Sequence, residues 1–247
     1  MKLNWAKHRI GEFEWIMKNY ENSKPIIIKY TDTQIILERE KRYPEEMPLV
    51  LGDAIHNLRT SLDLLASDVV RLNGGSSKEV YFPFAPNAAE LENQIKRKNF
   101  NRAAPAAVNL LRQIAPHREG NKHLRGLHDL DVMDKHQLIL PVFHVFKASK
   151  LRVEGPMGHI ELEISVPGDG ASINKNPGDS ATVKAFECVV GFGEGAPSEF
   201  RGFPVVEVLQ NLSQLVGGII KSFRDLLSGG DKAASGPVSD DGAIKSV

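Results

Sequence analysis

Between Leu51 and Val69 the apolar residues Leu51, Ile55, Leu58, Leu62, Leu65 and Val69 recur at the three- and four-residue steps of one helical face. Gly52-Asp53 opens this helix and Asn73-Gly74-Gly75 stops it near Leu72. Leu64 and Leu72 fall off the main face, which predicts a central helix touched from several sides. The same rhythm predicts an N-terminal helix over 5–20, through Trp5, Ile10, Phe13, Met17 and Tyr20, with Trp5 and Trp15 in the core. It also predicts a last helix over 204–227, through Val205, Val208, Leu209, Leu212, Leu215, Ile219, Phe223 and Leu227. Between these lie a helix over 87–99, where Asn87 and Glu90 have capping-box spacing, one over 105–115 opened by Pro105, and one over 121–138.

Elsewhere the period is two. PIIIKY and QIILERE, separated by Thr31-Asp32-Thr33, predict a hairpin over 25–40. After Pro141, VFHVF, LRVEG, HIELEISV and TVKAFECVVGF alternate or run β-branched between Gly, Pro and Asn clusters, which predicts three or four antiparallel strands. The fold class is therefore α+β: a helical layer packed on an antiparallel sheet that the 25–40 hairpin can extend. One domain is expected over 1–227, with its helical core at about 45–140, a mainly β part at 141–203 and the last helix at 204–227. Residues 228–247, rich in Gly, Ser, Asp and Ala, have too little apolar surface to order themselves and read as a flexible tail.

Composition narrows the classes. With 31 basic and 31 acidic residues the chain has no global field that calls for DNA, a membrane or an acidic partner. The single cysteine, Cys188, rules out an internal disulfide and a cysteine zinc cluster, and its place in a strand-like run marks it as an inert core thiol. No run approaches the roughly 18 apolar residues of a membrane span. MKLNWAKHRIGEFEW carries charges where a signal peptide has its apolar region, which predicts a cytoplasmic location. Oligomeric state is not legible here.

Candidate chemistry begins with two misplaced carboxylates. At about 100° per residue, Leu124, Leu127 and Leu138 share a narrow arc of the 121–138 helix, and Asp131 and Asp134 fall inside it. A carboxylate away from water is costly unless it is paired or hydrogen-bonded, so a cation should face them. The central helix offers one: His56, Arg59 and Asp63 stand at i, i+3 and i+7. The expectation is that Arg59, whose planar fork satisfies two acceptors, bridges Asp131 and Asp134 and pins the two helices in register. The same set admits two chemical readings. Arg59 could stabilise developing phosphate charge while His56 or His136 moves a proton, in a metal-independent ribonuclease or phosphodiesterase. Alternatively, His56, His128 and the aspartates could hold a divalent metal in a hydrolase. The catalytic candidates are thus Arg59, His56, Asp131, Asp134 and His136, and no cofactor or resident metal is assigned.

A second constellation is basic. Lys96, Arg97, Lys98, Arg102, Arg112, Arg118, Lys122 and Arg125, with His117 and His123, face one acid, Glu119, between residues 96 and 125. A neutral protein with this local excess has a candidate anion-binding surface for nucleic acid or a phosphate-bearing ligand, carried by Lys96, Arg97, Lys98, Arg102, Lys122 and Arg125. Phe100 is the one aromatic in the stretch, so base stacking has little support within it. Gly191-Phe192-Gly193-Glu194-Gly195 lacks a following Lys-Ser or Lys-Thr and reads as a turn rather than a phosphate loop. Gly217-Gly218 reads as a close packing point within the last helix.

GDAIHNLRTSLDLLA and LHDLDVMDKHQLILPV, with YFPFA between them and AKHRIGEFE before them, resemble as a set a widespread group of uncharacterised bacterial proteins over residues 5 to 145. That resemblance implies no activity. A more distant likeness is to HEPN domains, helical bundles that often act as metal-independent ribonucleases in defence systems and use an arginine with a histidine a few residues on. Arg59 matches the arginine, whereas the histidine window holds Leu64, Leu65 and Ala66. The likeness therefore implies that His128 or His136, from the facing helix, supplies the base, or that the site is inactive. The leading expectation is a binding or interaction module with a HEPN-like helical core, linked to nucleic acid or defence, in which Arg59, Asp131 and Asp134 are structural.

Overall fold

The computed structural model describes residues 2–137, 142–156, 158–167 and 170–234. Among them the order is α1 (Lys2–Asn22), β1 (Ile26–Tyr30), β2 (Gln34–Arg39), α2 (Met47–Leu72), α3 (Leu91–Arg97), a single 3-10 turn (Phe100–Arg102), α4 (Pro105–Ile114), α5 (Lys122–Gln137), β3 (Val142–Gly155), β4 (Gly158–Pro167), β5 (Gly170–Asn174), β6 (Ser180–Phe192) and α6 (Val205–Ala234). The class is α+β.

α2 is the axis of the helical layer and packs against α1, α5 and α6. Its inward row, Leu51, Ile55, Leu58, Leu62 and Val69, is sealed against Phe13 of α1, Leu124 and Leu127 of α5, and Leu209 and Phe223 of α6. Burying a side chain of this kind stabilises by roughly 1.5–3 kcal/mol, so this row decides where the four helices meet. Pro48 sits in the first turn, where its missing N–H costs nothing, and the helix begins at Met47, before the predicted Leu51. Leu64 and Leu72 are exposed, so α2 is covered on fewer sides than its sequence implies. In α1 the inward row is Ala6, Ile10, Phe13, Met17 and Tyr20. Trp5 lies one residue off that row and is exposed beneath the Arg9 guanidinium, 4.8 Å from its ring, and Trp15 is exposed as well. Neither tryptophan belongs to the core.

Two three-stranded antiparallel sheets form, in the orders β4-β3-β6 and β1-β2-β5. The 25–40 hairpin therefore does not extend the main sheet. It recruits β5 instead, with Ile35 opposite Ile173 and Leu37 opposite Ala171. Gly170, at φ 111°, permits this, because its Cα lies against the Leu37 carbonyl where a side chain has no room. Ile35 and Leu37 of the small sheet share a core with Leu151 of β3 and Tyr20 of α1. Cys188 borders that core, where burial pushes its thiol up to about 12, in keeping with an inert side chain.

The end of β6 drives Val190 and Phe192 into the helical layer. The following loop folds back on it, since Phe192 N–H donates to the Phe203 carbonyl at 3.0 Å and Gly202 N–H to the Phe192 carbonyl at 2.8 Å. Ala196 and Phe200 are thereby buried with the helical core. α6 runs seven residues past its predicted end at 227, through Gly229-Gly230 and into the segment expected to be a flexible tail. A Cβ at Gly217 would make only ordinary contact with Leu3, and one at Gly218 would meet open space, so this glycine pair is not a close packing point. Residues 235–247 of the predicted tail lie outside the described residues. Among those described, no helix is long and apolar enough to cross a membrane.

Candidate functional site

α5 starts where Asn121 caps it, its side-chain oxygen accepting the Leu124 N–H at 3.0 Å. That start directs Leu124, Leu127 and Leu130 into the core and turns Asp131 toward α2, where it is 3 % exposed. The helix pairing expected from the sequence is present, but the charges pair differently. Asp131 Oδ1 lies 3.0 Å from His56 Nδ1, and Asp131 Oδ2 accepts from Lys135 Nζ at 2.6 Å. Arg59 has other partners. Its Nη1 stands 2.6 Å from Asp63 Oδ2 on its own helix, its Nε donates to His128 Nδ1 at 3.3 Å, and its guanidinium lies 4.4 Å from the Phe84 ring centroid. The predicted Arg59 bridge to Asp131 and Asp134 is thus replaced by two neighbouring networks. The reason is local: Asp63 is one turn along α2 and reaches Arg59 first.

The Arg59 network is closed. The residue is 8 % exposed. His128 stacks on Phe84 at 4.8 Å with an interplanar angle of 13°. Burial, with the Arg59 and Arg125 charges adding to it, pushes His128 down to about 4, so at neutral pH it is an uncharged acceptor for Arg59. Asp63 Oδ1 also accepts the Phe82 N–H at 2.9 Å, which ties the YFPFA segment to α2. Arg59 Nη1 is held by the Asp63 charge alone, being buried without a hydrogen-bond partner.

The His56 network is open on one side. The His56 side chain is 43 % exposed, against 5 % for that of Asp131. Donation from Nδ1 to Asp131 leaves Nε2 as an acceptor, and Thr60 Oγ1 is 3.3 Å from it. A half-exposed imidazole oriented by a buried carboxylate can take up or release a proton. Asp134 lies close by with its carboxyl raised above the usual range, first by burial and then by Asp131. It fits there because position 52 is glycine: a Cβ on Gly52 would come within 2.5 Å of Asp134 Oδ1. The side chain of His136 lies outside the described residues. Among the described residues no group of three or more His, Cys, Asp and Glu side chains is placed to hold a metal ion. His56 and His128 are instead turned to Asp131 and Arg59.

The basic stretch does not make one surface. Arg112 pairs with Glu92 through two hydrogen bonds of 2.6 and 3.0 Å, and Arg118 and Arg125 share Asp129. Arg102 donates to the carbonyls of Ser76 and Lys78 and to Asn99 Oδ1, where it clips the loop after α2. His117 is buried. Lys122 lines a polar cleft of about 410 Å³ with Arg118 and Arg201 opposite Asp129 and Glu199. Lys96, Arg97 and Lys98 stand at the C-terminal end of α3, where the Lys96 charge adds to that of Arg112 in holding the Glu92 carboxyl below its ordinary value. That helix, Leu91–Arg97, is shorter than the predicted 87–99 segment at both ends, and at its start the Asn87 side chain closes a turn onto the Glu90 N–H at 3.0 Å instead of capping a helix.

Tyr81 was not singled out in the sequence. It is 47 % exposed, its N–H donates to the Lys98 carbonyl at 3.2 Å, and Lys98 Nζ lies 5.5 Å from its ring centroid. An aromatic in an otherwise buried segment, two residues before Pro83, was the available signal. Lys135 and Thr60 were missed too, although each lies four residues from its partner on the same helix.

The architecture and these two networks define an α+β protein with a paired-helix charge centre. No family model, curated protein or solved structure matches the chain.

Proposed function

We propose that this protein is a binding module for single-stranded nucleic acid, engaged at the corner formed by Tyr81, Lys78 and the end of α3, with the Arg59 network as its frame. The observation that carries this reading is an exposed aromatic held beside a cation: Tyr81 with Lys98 above it. Bases of any identity stack on such a ring, while neighbouring cations meet the phosphates. Lys96 and Arg97 are exposed and form no salt bridge among the described residues. Their place in the last turn suits the helix dipole, and Lys96 also lies in the field of Glu92 one turn back. Arg102 and Asn99, the latter donating to the Glu79 carbonyl at 3.1 Å, hold the two segments together and so preset the spacing.

Fluorescence anisotropy with a labelled oligo-uridine and its deoxy counterpart tests this. Binding should weaken with salt, and replacing Lys96 and Arg97 by Ala should flatten the log–log salt slope by about 0.7 for each phosphate no longer neutralised. Tyr81→Ala should weaken binding by about fivefold or more, since stacking contributes roughly 1–3 kcal/mol per base. No binding at low salt, or an unchanged affinity in Tyr81→Ala, would overturn the reading.

One observation favours a second reading, a metal-independent phosphodiesterase. His56 is open to solvent and oriented by Asp131, as a proton-transfer group must be. It predicts chelator-insensitive RNA cleavage lost in His56→Gln. In that reading Arg59 is a framework residue, because its closed surroundings leave no approach for a phosphate.

A further inference from the structure

A second cleft, of about 430 Å³, is bounded by Asn121 and His123 at the start of α5, the loop after β6 and the first turns of α6. Its volume is within the range of small-molecule sites. Leu212 and Leu215 of α6 form an apolar floor, and Phe203 forms a lip that is 52 % exposed. The Phe203 backbone is fixed on both sides, its carbonyl by Phe192 N–H and its own N–H by the Phe200 carbonyl at 3.1 Å. The ring is thus held out over the cleft by a built turn.

Two carboxylates line the same cleft, Glu199 and Glu207. Among the described residues neither has an ion-pair partner, and the one polar contact of Glu199 is the Ser198 hydroxyl at 3.2 Å. Glu207 stands in the first turn of α6, where the helix dipole accounts for a negative charge. No such reason applies to Glu199, which is half-buried against α5. A Cβ at Gly126 would collide with its carboxylate, so this side chain is seated where the helix has no side chain of its own. An apolar floor, a fixed aromatic lip and two carboxylates with no ion-pair partner among the described residues favour a ligand that is hydrocarbon at one end and cationic at the other, although Glu199 also borders the neighbouring polar cleft with Arg118, Lys122 and Arg201. An anion would meet both charges, and a wholly apolar ligand would strip water from the carboxylates without compensation.

We propose that this cleft binds a small organic cation, an alkyl- or arylalkylammonium compound, with its hydrocarbon on Leu212, Leu215 and Phe203 and its ammonium group directed to Glu199 and Glu207. The site is separate from the Tyr81 corner and stands independently of nucleic-acid binding. Phenethylammonium, phenethyl alcohol and hydrocinnamate share a shape and differ in charge, so calorimetric titration of the full chain with each provides the test. The ammonium compound should bind saturably, and the alcohol and the carboxylate should bind about tenfold more weakly or worse. Glu207→Gln and Phe203→Ala change exposed side chains and should keep the fold, checked by thermal melting, while each weakens phenethylammonium by about fivefold or more. The proposal is overturned if the alcohol or the carboxylate binds as tightly, if both variants keep wild-type affinity, or if the ammonium compound shows no saturable binding.

Discussion

Replacing Arg59 by alanine removes the centre of the closed network and separates the pairing seen here from the pairing its sequence suggests. Arg59 is 8 % exposed, faces Asp63 at 2.6 Å, donates to His128 and covers Phe84. Removing one partner of a buried pair typically costs about 3–5 kcal/mol, because the other charge is stranded. Asp63 keeps some solvent, its side chain being 25 % exposed, and keeps the Phe82 N–H, so the lower end applies. At about 3 kcal/mol, and about 2–4 °C per kcal/mol for a chain of this length, Tm should fall by about 6–12 °C. Scanning calorimetry measures this, and urea melts of double-mutant cycles identify the partner. Arg59→Ala with Asp63→Ala should show a coupling above about 1 kcal/mol, whereas Arg59→Ala with Asp131→Ala should be additive within about 0.5 kcal/mol. A Tm loss under about 2 °C, or strong coupling to Asp131 with none to Asp63, would refute the network.

Two further outcomes follow from the same geometry. His128 is held down to about 4 in the folded protein, while an unfolded histidine titrates near 6.5, so the unfolded chain binds more protons between these values. Stability should therefore fall as pH drops through that window, by roughly 3 kcal/mol in total from this group; urea melts at pH 7 and near pH 4 should show a smaller loss in His128→Asn, and equal losses would contradict the assignment. Gly126→Ala improves helix propensity by about 1 kcal/mol, yet its Cβ would come within 2.6 Å of the Phe200 ring and onto the Glu199 carboxylate. The buried ring cannot retreat, so a net loss of about 1–3 kcal/mol is expected, and a rise in Tm would show that the loop is not seated on α5 as described.

The periodicity of side chains along this chain was enough to place its helices and strands, because the pattern that buries an apolar stripe is local and needs no knowledge of the partner. It also showed that α5 carries acids where leucines belong, and that α2 carries the polar face to meet them. Choosing partners was beyond it. Arg59 can reach Asp63 within its own helix or the aspartates across the helix pair, and only the packed distances decide between them; the bridge expected from spacing gave way to the nearer carboxylate. The basic stretch failed in the same way, because its acids, Glu92 and Asp129, come from outside the 96–125 window. Tertiary structure alone decided that the hairpin joins β5 and that the loop after β6 folds onto α5 to make a cleft. Each of these turns on a long-range contact whose stability depends on how much surface two distant segments cover together, and no stretch of sequence read by itself contains that quantity.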